Sequence, residues 1–198
     1  MYNKVSIIFL IISTICINRA FAGNAAKIEV TSISMTAAKK LIVSERAKLM
    51  KFRVEASSIE PDRGQSFQLK TQERTLYIVS STRSSSMDVP PTCSALLFNE
   101  TKALISLIDT VGPNDDRRPW TCDNTKALSF SDNYPDGSLK IIVLYHATAP
   151  SSERFIVPVV LKLSFIIPSL IIDEDLTNLF DDKEINTIKK ARQIINYN

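Results

Sequence analysis

Apolar positions recur along this chain with two periods. In residues 36–49 (TAAKKLIVSERAKL), Ala38, Leu41, Ile42, Glu45 and Leu49 share one face, and Lys39, Lys40, Arg46 and Lys48 the other. That spacing predicts a short amphipathic helix. The next run, MKFRVEAS, sets Met50, Phe52, Val54 and Ala56 against Lys51, Arg53 and Glu55, the alternation of a half-buried strand. The helix could also continue through it; the β-branched and aromatic content favours the strand. Glu60-Pro61-Asp62-Arg63-Gly64 reads as a turn.

From there the pattern becomes short strands separated by turn signals. Candidate strands are 66–70, 75–80, 94–98, 103–108, 126–130, 139–146 and 154–164. Serine, proline, glycine and aspartate collect between them at 84–91, 112–116, 132–137 and 149–152. Sequential strands on short connections predict an antiparallel meander, because parallel pairing needs long crossovers. Pro158, inside an otherwise strong strand, predicts an edge or a bulge. The C-terminus turns helical: Asp181 and Glu184 resemble a capping box, and Ile185, Ile188, Ala191 and Ile195 follow on one face. The expected fold is α+β, an antiparallel β-meander with a short N-terminal helix and a C-terminal helix.

The first 22 residues change the picture from fold to address. Lys4 is followed by an almost unbroken apolar run at 5–17, and Ala20-Phe21-Ala22 places small residues where a signal peptidase reads them. This predicts a signal peptide over 1–22, cleavage before Gly23, and a single exported domain over 23–198. The run is shorter than the roughly 20 apolar residues a membrane span needs. The bulky Ile15 before Cys16 argues against lipid modification of that cysteine. A later apolar stretch, 155–172, is interrupted by Pro158, Lys162 and Pro168, so no integral membrane segment is expected after cleavage. The predicted location is the periplasm, in soluble form.

Losing 22 of 198 residues leaves 176, and losing Lys4 and Arg19 lowers the formal charge from +3 to +1. The nominal pI of 8.7 is therefore no sign of a basic surface, and nucleic acid is not an expected partner. Of three cysteines, Cys16 leaves with the leader, and Cys93 and Cys122 remain as a pair. In an oxidising compartment they are expected to form a disulfide. A redox or zinc role lacks support, since there is no C-x-x-C spacing and only one histidine, His146.

The most distinctive run is Trp120-Thr121-Cys122 followed, after Asp123-Asn124-Thr125, by KALSFSDNYPDGSLKIIVLY. It resembles the strand–loop–strand unit of FG-GAP and VCBS-type repeats, whose acidic loops wrap a calcium ion. The resemblance covers about 25 residues and places Asp132, Asp136 and Gly137 at the first, fifth and sixth loop positions. Tyr134 stands where a third-position ligand belongs, and Lys140 where an acid is frequent. The loop is thus a degenerate calcium loop, expected to be a tight Asp-Gly turn with no metal. One such unit cannot close a propeller.

Catalytic patterns are missing from the sequence. There is no G-x-S-x-G elbow, no Walker or dinucleotide fingerprint, and the paired acids at 115–116, 173–175 and 181–182 fall in turn or cap contexts. No cofactor is expected. The leading expectation is a periplasmic, non-catalytic protein that binds another protein. The chain is similar overall to small exported proteins, some of which act as immunity proteins against secreted toxins. Arg117, Arg118 and Trp120, in the proline-bearing loop beside Cys122, are the candidate contact residues, because arginine and tryptophan anchor interfaces. The alternatives are an envelope structural or ligand-binding accessory protein and, third, a hydrolase.

Overall fold

The computed structural model describes residues 27–52, 54–84 and 89–196; the expected leader, its cleavage site and Arg53 lie outside these. Among the described residues, nine strands form two antiparallel sheets, each in sequence order. The first holds β1 (Glu29–Ser32), β2 (Ile59–Lys70), β3 (Thr75–Arg83), β4 (Thr92–Phe98) and β5 (Leu104–Val111). The second holds β6 (Thr121–Asn133), β7 (Leu139–Thr148), β8 (Arg154–Ser164) and β9 (Ser169–Ile172). The meander is therefore two meanders, and the chain crosses between them in the 112–120 loop.

Period-two patterning decides the layers. In β4 all seven side chains are buried, yet they face two ways. Cys93, Ala95 and Leu97 join Leu69, Ile78, Ile141, Val143, Tyr145 and Leu161 in a core between the sheets. Leu96 and Phe98 face out, under α1 (Met35–Ser44) and α2 (Arg46–Lys51), with Ala38, Leu41, Ile42 and Leu49. The second sheet repeats this: Ile142, Leu144 and Val160 face α4 (Ile188–Asn196) and the segment before it, through Phe180, Ile185, Ala191 and Ile195. A strand covered on both faces reads as a continuous apolar run.

The helical reading ran on where a strand was expected. Residues 50 and 51 continue α2, and Met50 and Phe52, the supposed inward positions, are exposed. Only Leu49 and Val54 are buried there. The two helices break at Glu45 because its carboxylate leaves the helix surface to accept from Leu104 N–H at 3.0 Å, while Lys48 donates to the Leu104 carbonyl. The expected 60–64 turn is instead a bulge inside β2, with Gly64 at φ +73°. The C-terminal helix starts later than Asp181: Thr187 Oγ1 accepts from Lys190 N–H, and a short α3 (Glu174–Asn178) precedes it. Pro158 lies on the half of β8 that β9 leaves uncovered. Val160, two residues on, donates outward to Thr177 Oγ1, so the proline nitrogen also faces the open edge.

A polar knot sits inside the sandwich. Asp62, on the β2 bulge, accepts from Thr125 N–H at 3.0 Å, Thr125 Oγ1 at 2.6 Å and Thr82 Oγ1 at 3.1 Å. With its proton given to Asp62, Thr125 Oγ1 accepts from Ser80 at 2.6 Å. Burial raises the Asp62 pKa despite these bonds. The fully buried Tyr145 hydroxyl faces Thr110 and Ser80 without closing a hydrogen bond, and burial pushes its pKa up to about 12.

The knot also fixes the relative direction of the sheets. Asp62 meets Thr125, and Phe67 meets Phe130 edge-to-face at 5.2 Å, an equal step along β2 and β6. These strands therefore run the same way. Antiparallel pairing then puts the start of β1 and the turns 71–74, 99–103, 134–138 and 165–168 at one end of the sandwich. The segments 84–91, 112–120 and 149–153 lie at the other end.

Cys93 on β4 and Cys122 on β6 are joined across the sheets, with Cα atoms 5.3 Å apart. The bridge closes a loop with a sequence separation of 29, which constrains the unfolded chain by about 3–4 kcal/mol. Cys93→Ala together with Cys122→Ala should therefore lower the melting temperature by roughly 10 °C. Thiol titration of the denatured, unreduced chain from residue 23 onward should find no free thiol; two free thiols would contradict the bridge.

Candidate functional site: the crossover loop and its cleft

The 112–120 loop carries the chain from β5 to β6, and its own residues set its shape. Gly112 begins it because a Cβ there would come within 2.7 Å of the Thr92 side chain. Asp115 Oδ1 then accepts from the backbone N–H groups of Arg117 at 2.9 Å and Arg118 at 2.7 Å. This is an Asx-type turn that ties the loop to itself. Gly112 N–H donates to the Arg118 carbonyl, as does Trp120 N–H.

Arg118 turns inward and is only 6% exposed. Its Nε donates to the Thr110 carbonyl at 2.8 Å, and its two terminal nitrogens form a bidentate pair with Glu174, each bond 2.9 Å. Asp115 adds a further contact at 3.3 Å. The parallel pair is the strong geometry for guanidinium and carboxylate. It joins the loop to the first residue of α3, and the Arg118 hydrogen bond holds the Glu174 carboxyl below its usual range. Arg117 reaches the same Glu174 oxygen at 3.0 Å from the surface, with its side chain 56% exposed. An exposed pair of that kind contributes little and exchanges easily.

Trp120 is half-buried and stands edge-to-face on Phe155 at 4.9 Å. These rings, with Pro158 and Phe180, wall a cleft of about 490 Å³ between the loop, the open edge of β8 and the segment after α3. Arg117, Asp182 and Lys183 are at its rim. The three residues singled out from sequence thus line one cleft in different ways: Arg117 outward, Arg118 buried as a strut, Trp120 as a wall.

Sequence reasoning missed Glu174, Asp115 and Phe155. Glu174 sits in an acidic run that reads as solvated charge, and its pairing partner is 56 residues away. Phe155 lies on an expected strand, but its contact with Trp120 arises only when the two sheets come together.

The 132–137 loop is the hairpin turn between β6 and β7, with Gly137 at φ +79°. Of Asp132 only the backbone is described. Asp136 is exposed; Lys162 at 2.6 Å holds its carboxyl down to about 2, with Ser138 N–H assisting. A cation there would have to displace an ammonium. Tyr134, the intruder in the ligand pattern, donates to Asp173 at 2.5 Å, and the Lys140 and Lys162 ammonium groups lie 5.1 and 4.7 Å from its ring centre. Burial first, then the Asp173 bond, raises its pKa. His146 pairs through Nδ1 with Asn124 at 3.0 Å.

No family model, curated protein or solved structure matches this chain. Among the described residues, no helix is long and apolar enough to cross a membrane.

Arg118→Ala should cost about 3 kcal/mol, because it leaves Glu174 and Asp115 without their buried cation. The pH dependence has a definite sign. Glu174 has a folded pKa below its ordinary value, so its contribution is present above the unfolded carboxyl pKa and is lost as pH falls through the depressed folded value. Melting of wild type and Glu174→Gln should therefore differ at pH 7 and converge in acid. Separately, millimolar calcium should leave the melting temperature unchanged, since a ligand that binds the folded state raises it.

Proposed function

We propose that this chain is an exported protein, acting in the periplasm, that works by binding another protein and catalyses nothing. The cleft beside the crossover loop is its working surface. One observation supports this most: Arg118 spends its charge inside the protein, so the loop is rigid before any partner arrives. A loop tied by an Asx turn, a bidentate ion pair and a neighbouring disulfide loses little freedom on docking. On that frame, Trp120 and Phe155 offer a half-exposed aromatic wall. Arg117 offers a guanidinium whose surface pair with Glu174 is cheap to exchange for a partner's carboxylate. Aromatic rings and arginine beside a pocket are the usual anchors of protein interfaces.

The specific form of this reading is an immunity protein that neutralises a secreted toxin, with the partner meeting it in the compartment to which the leader directs the chain. His146 is held through Nδ1 by the Asn124 side-chain oxygen at 3.0 Å, outside the set of residues that line the cleft.

Affinity capture from a periplasmic extract tests the proposal. Arg117→Ala should weaken capture of the principal partner by about tenfold with little change in melting. Trp120→Ala should weaken capture and lower melting together, while His146→Ala should alter neither. Turnover of peptidoglycan, lipid or ester by the purified protein, lost in His146→Ala, would refute the reading.

A further inference from the structure

Four turns share the end of the sandwich opposite the cleft. Three are polar: residues 71–74 are Thr-Gln-Glu-Arg, 99–103 are Asn-Glu-Thr-Lys-Ala, and 134–138 are Tyr-Pro-Asp-Gly-Ser. The fourth, 165–168 between β8 and β9, is Phe-Ile-Ile-Pro. Phe165 packs inward on the inter-sheet core, which leaves Ile166 and Ile167 standing out at 76% and 77% exposure. They are the most exposed large apolar side chains among the described residues. Turn geometry asks for glycine, asparagine, aspartate or serine, not for paired isoleucines. Exposed apolar clusters mark contact with a partner or a membrane.

We propose that this hairpin tip inserts into the surface of a lipid bilayer, so that the sandwich stands on the membrane with its cleft pointing away. The exposed apolar surface at this end centres on two residues of a hairpin turn, a form suited to a soft, yielding medium. At the same end lies the Tyr134 ring with the Lys140 and Lys162 ammonium groups over it, the two lysines paired across β7 and β8. An apolar tip beside an aromatic ring and ammonium groups is a combination of side chains suited to a membrane interface. Lys162 shares its charge with Asp136, so the apolar tip carries most of the attraction.

The third argument is where the chain begins its first strand. Glu29 pairs with Lys70, at the same end as the tip. The apolar run at 5–17 ends ten residues before Lys27. Ten extended residues reach at most about 35 Å. This rests on the proposed export: while a leader occupies the membrane, this end of the sandwich stays within that reach of it. The tip would then retain the contact after cleavage. From Ser164 to Phe155 is about 30 Å along β8, so the cleft clears the headgroups. Two isoleucines bury less than one acyl chain, which alone anchors only marginally, so the attachment is weak and reversible.

The test uses the chain from Gly23 to the C-terminus with extruded vesicles of phosphatidylcholine, or of phosphatidylethanolamine and phosphatidylglycerol, at millimolar lipid. Wild type should cosediment with both in a saturable manner. Ile166→Ser combined with Ile167→Ser should lower the partition by about tenfold or more without a change in melting. Trp120 is the chain's only tryptophan, so Ile166→Trp in a Trp120→Phe background gives a single reporter. Its emission should shift to the blue on adding vesicles. Equal partition of the serine variant and wild type would overturn the proposal, as would no shift of the reporter. So would loss of a captured protein partner in the serine variant with no vesicle binding by wild type, which would make the tip a protein contact instead. Cleft variants such as Arg117→Ala should leave vesicle binding intact, so this proposal and the binding function fail separately.

Discussion

The chain changes sheets once, between Val111 and Thr121, and nearly everything distinctive about the molecule is arranged around that passage. A crossover that leaves one sheet and starts another at the same end has no ladder of its own to satisfy its backbone. Asp115 supplies part of the replacement by accepting from two successive amides, and Gly112 and Trp120 close bonds onto the Arg118 carbonyl. The disulfide fastens the strand behind the loop to β4. Arg118 fastens the loop itself to α3, and α3 in turn occupies the outer edge of β8 through Thr177. Remove the guanidinium and the loop, the helix and the open edge lose a common support.

That arrangement explains the division of labour between neighbouring residues. Arg117 and Arg118 are adjacent and chemically identical, yet one is a surface group and the other a buried strut. Asp115 caps both amides, Arg117 keeps an exposed side chain and Arg118 a buried one, and both guanidinium groups reach Glu174. The cleft wall belongs to the same passage, because Trp120 follows close behind and stands on Phe155 near the start of β8. The two ends of the sandwich differ in chemistry for a comparable reason: strand direction, set by contacts in the interior, decides which turns share an end.

Much of the fold was legible in the sequence because alternation and turn residues are local signals. Seven of the nine strands described and a helix at each side were read from such signals, and the disulfide from the even pair of cysteines left beyond the expected leader. β1 and β9 are each four residues long and carry too little pattern to register. The 50–56 run misled because its alternation coincides with helix positions, and Leu49 and Val54 supply the real burial. The division into two sheets was not legible either, since a meander of nine strands looks the same along the chain whether or not it folds over. The site was half visible. Residue type pointed to Arg117, Arg118 and Trp120, but which arginine is buried depends on Glu174, and no local rule pairs residues so far apart.

The Asp62 knot has a consequence for how uniquely the sheets can stack. Two apolar faces meeting alone would tolerate sliding, because one isoleucine or valine replaces another at little cost. Here β2 brings a carboxylate into the interface, and Thr125 and Thr82 offer the hydrogens that receive it. A shift along the strands would break these hydrogen bonds and leave the carboxylate without its partners, a penalty of several kcal/mol. The raised Asp62 pKa shows that the knot is no gift to stability in itself. Its effect is to make alternative stackings worse, and so to keep the two ends of the molecule, and the surfaces they carry, in one fixed relation.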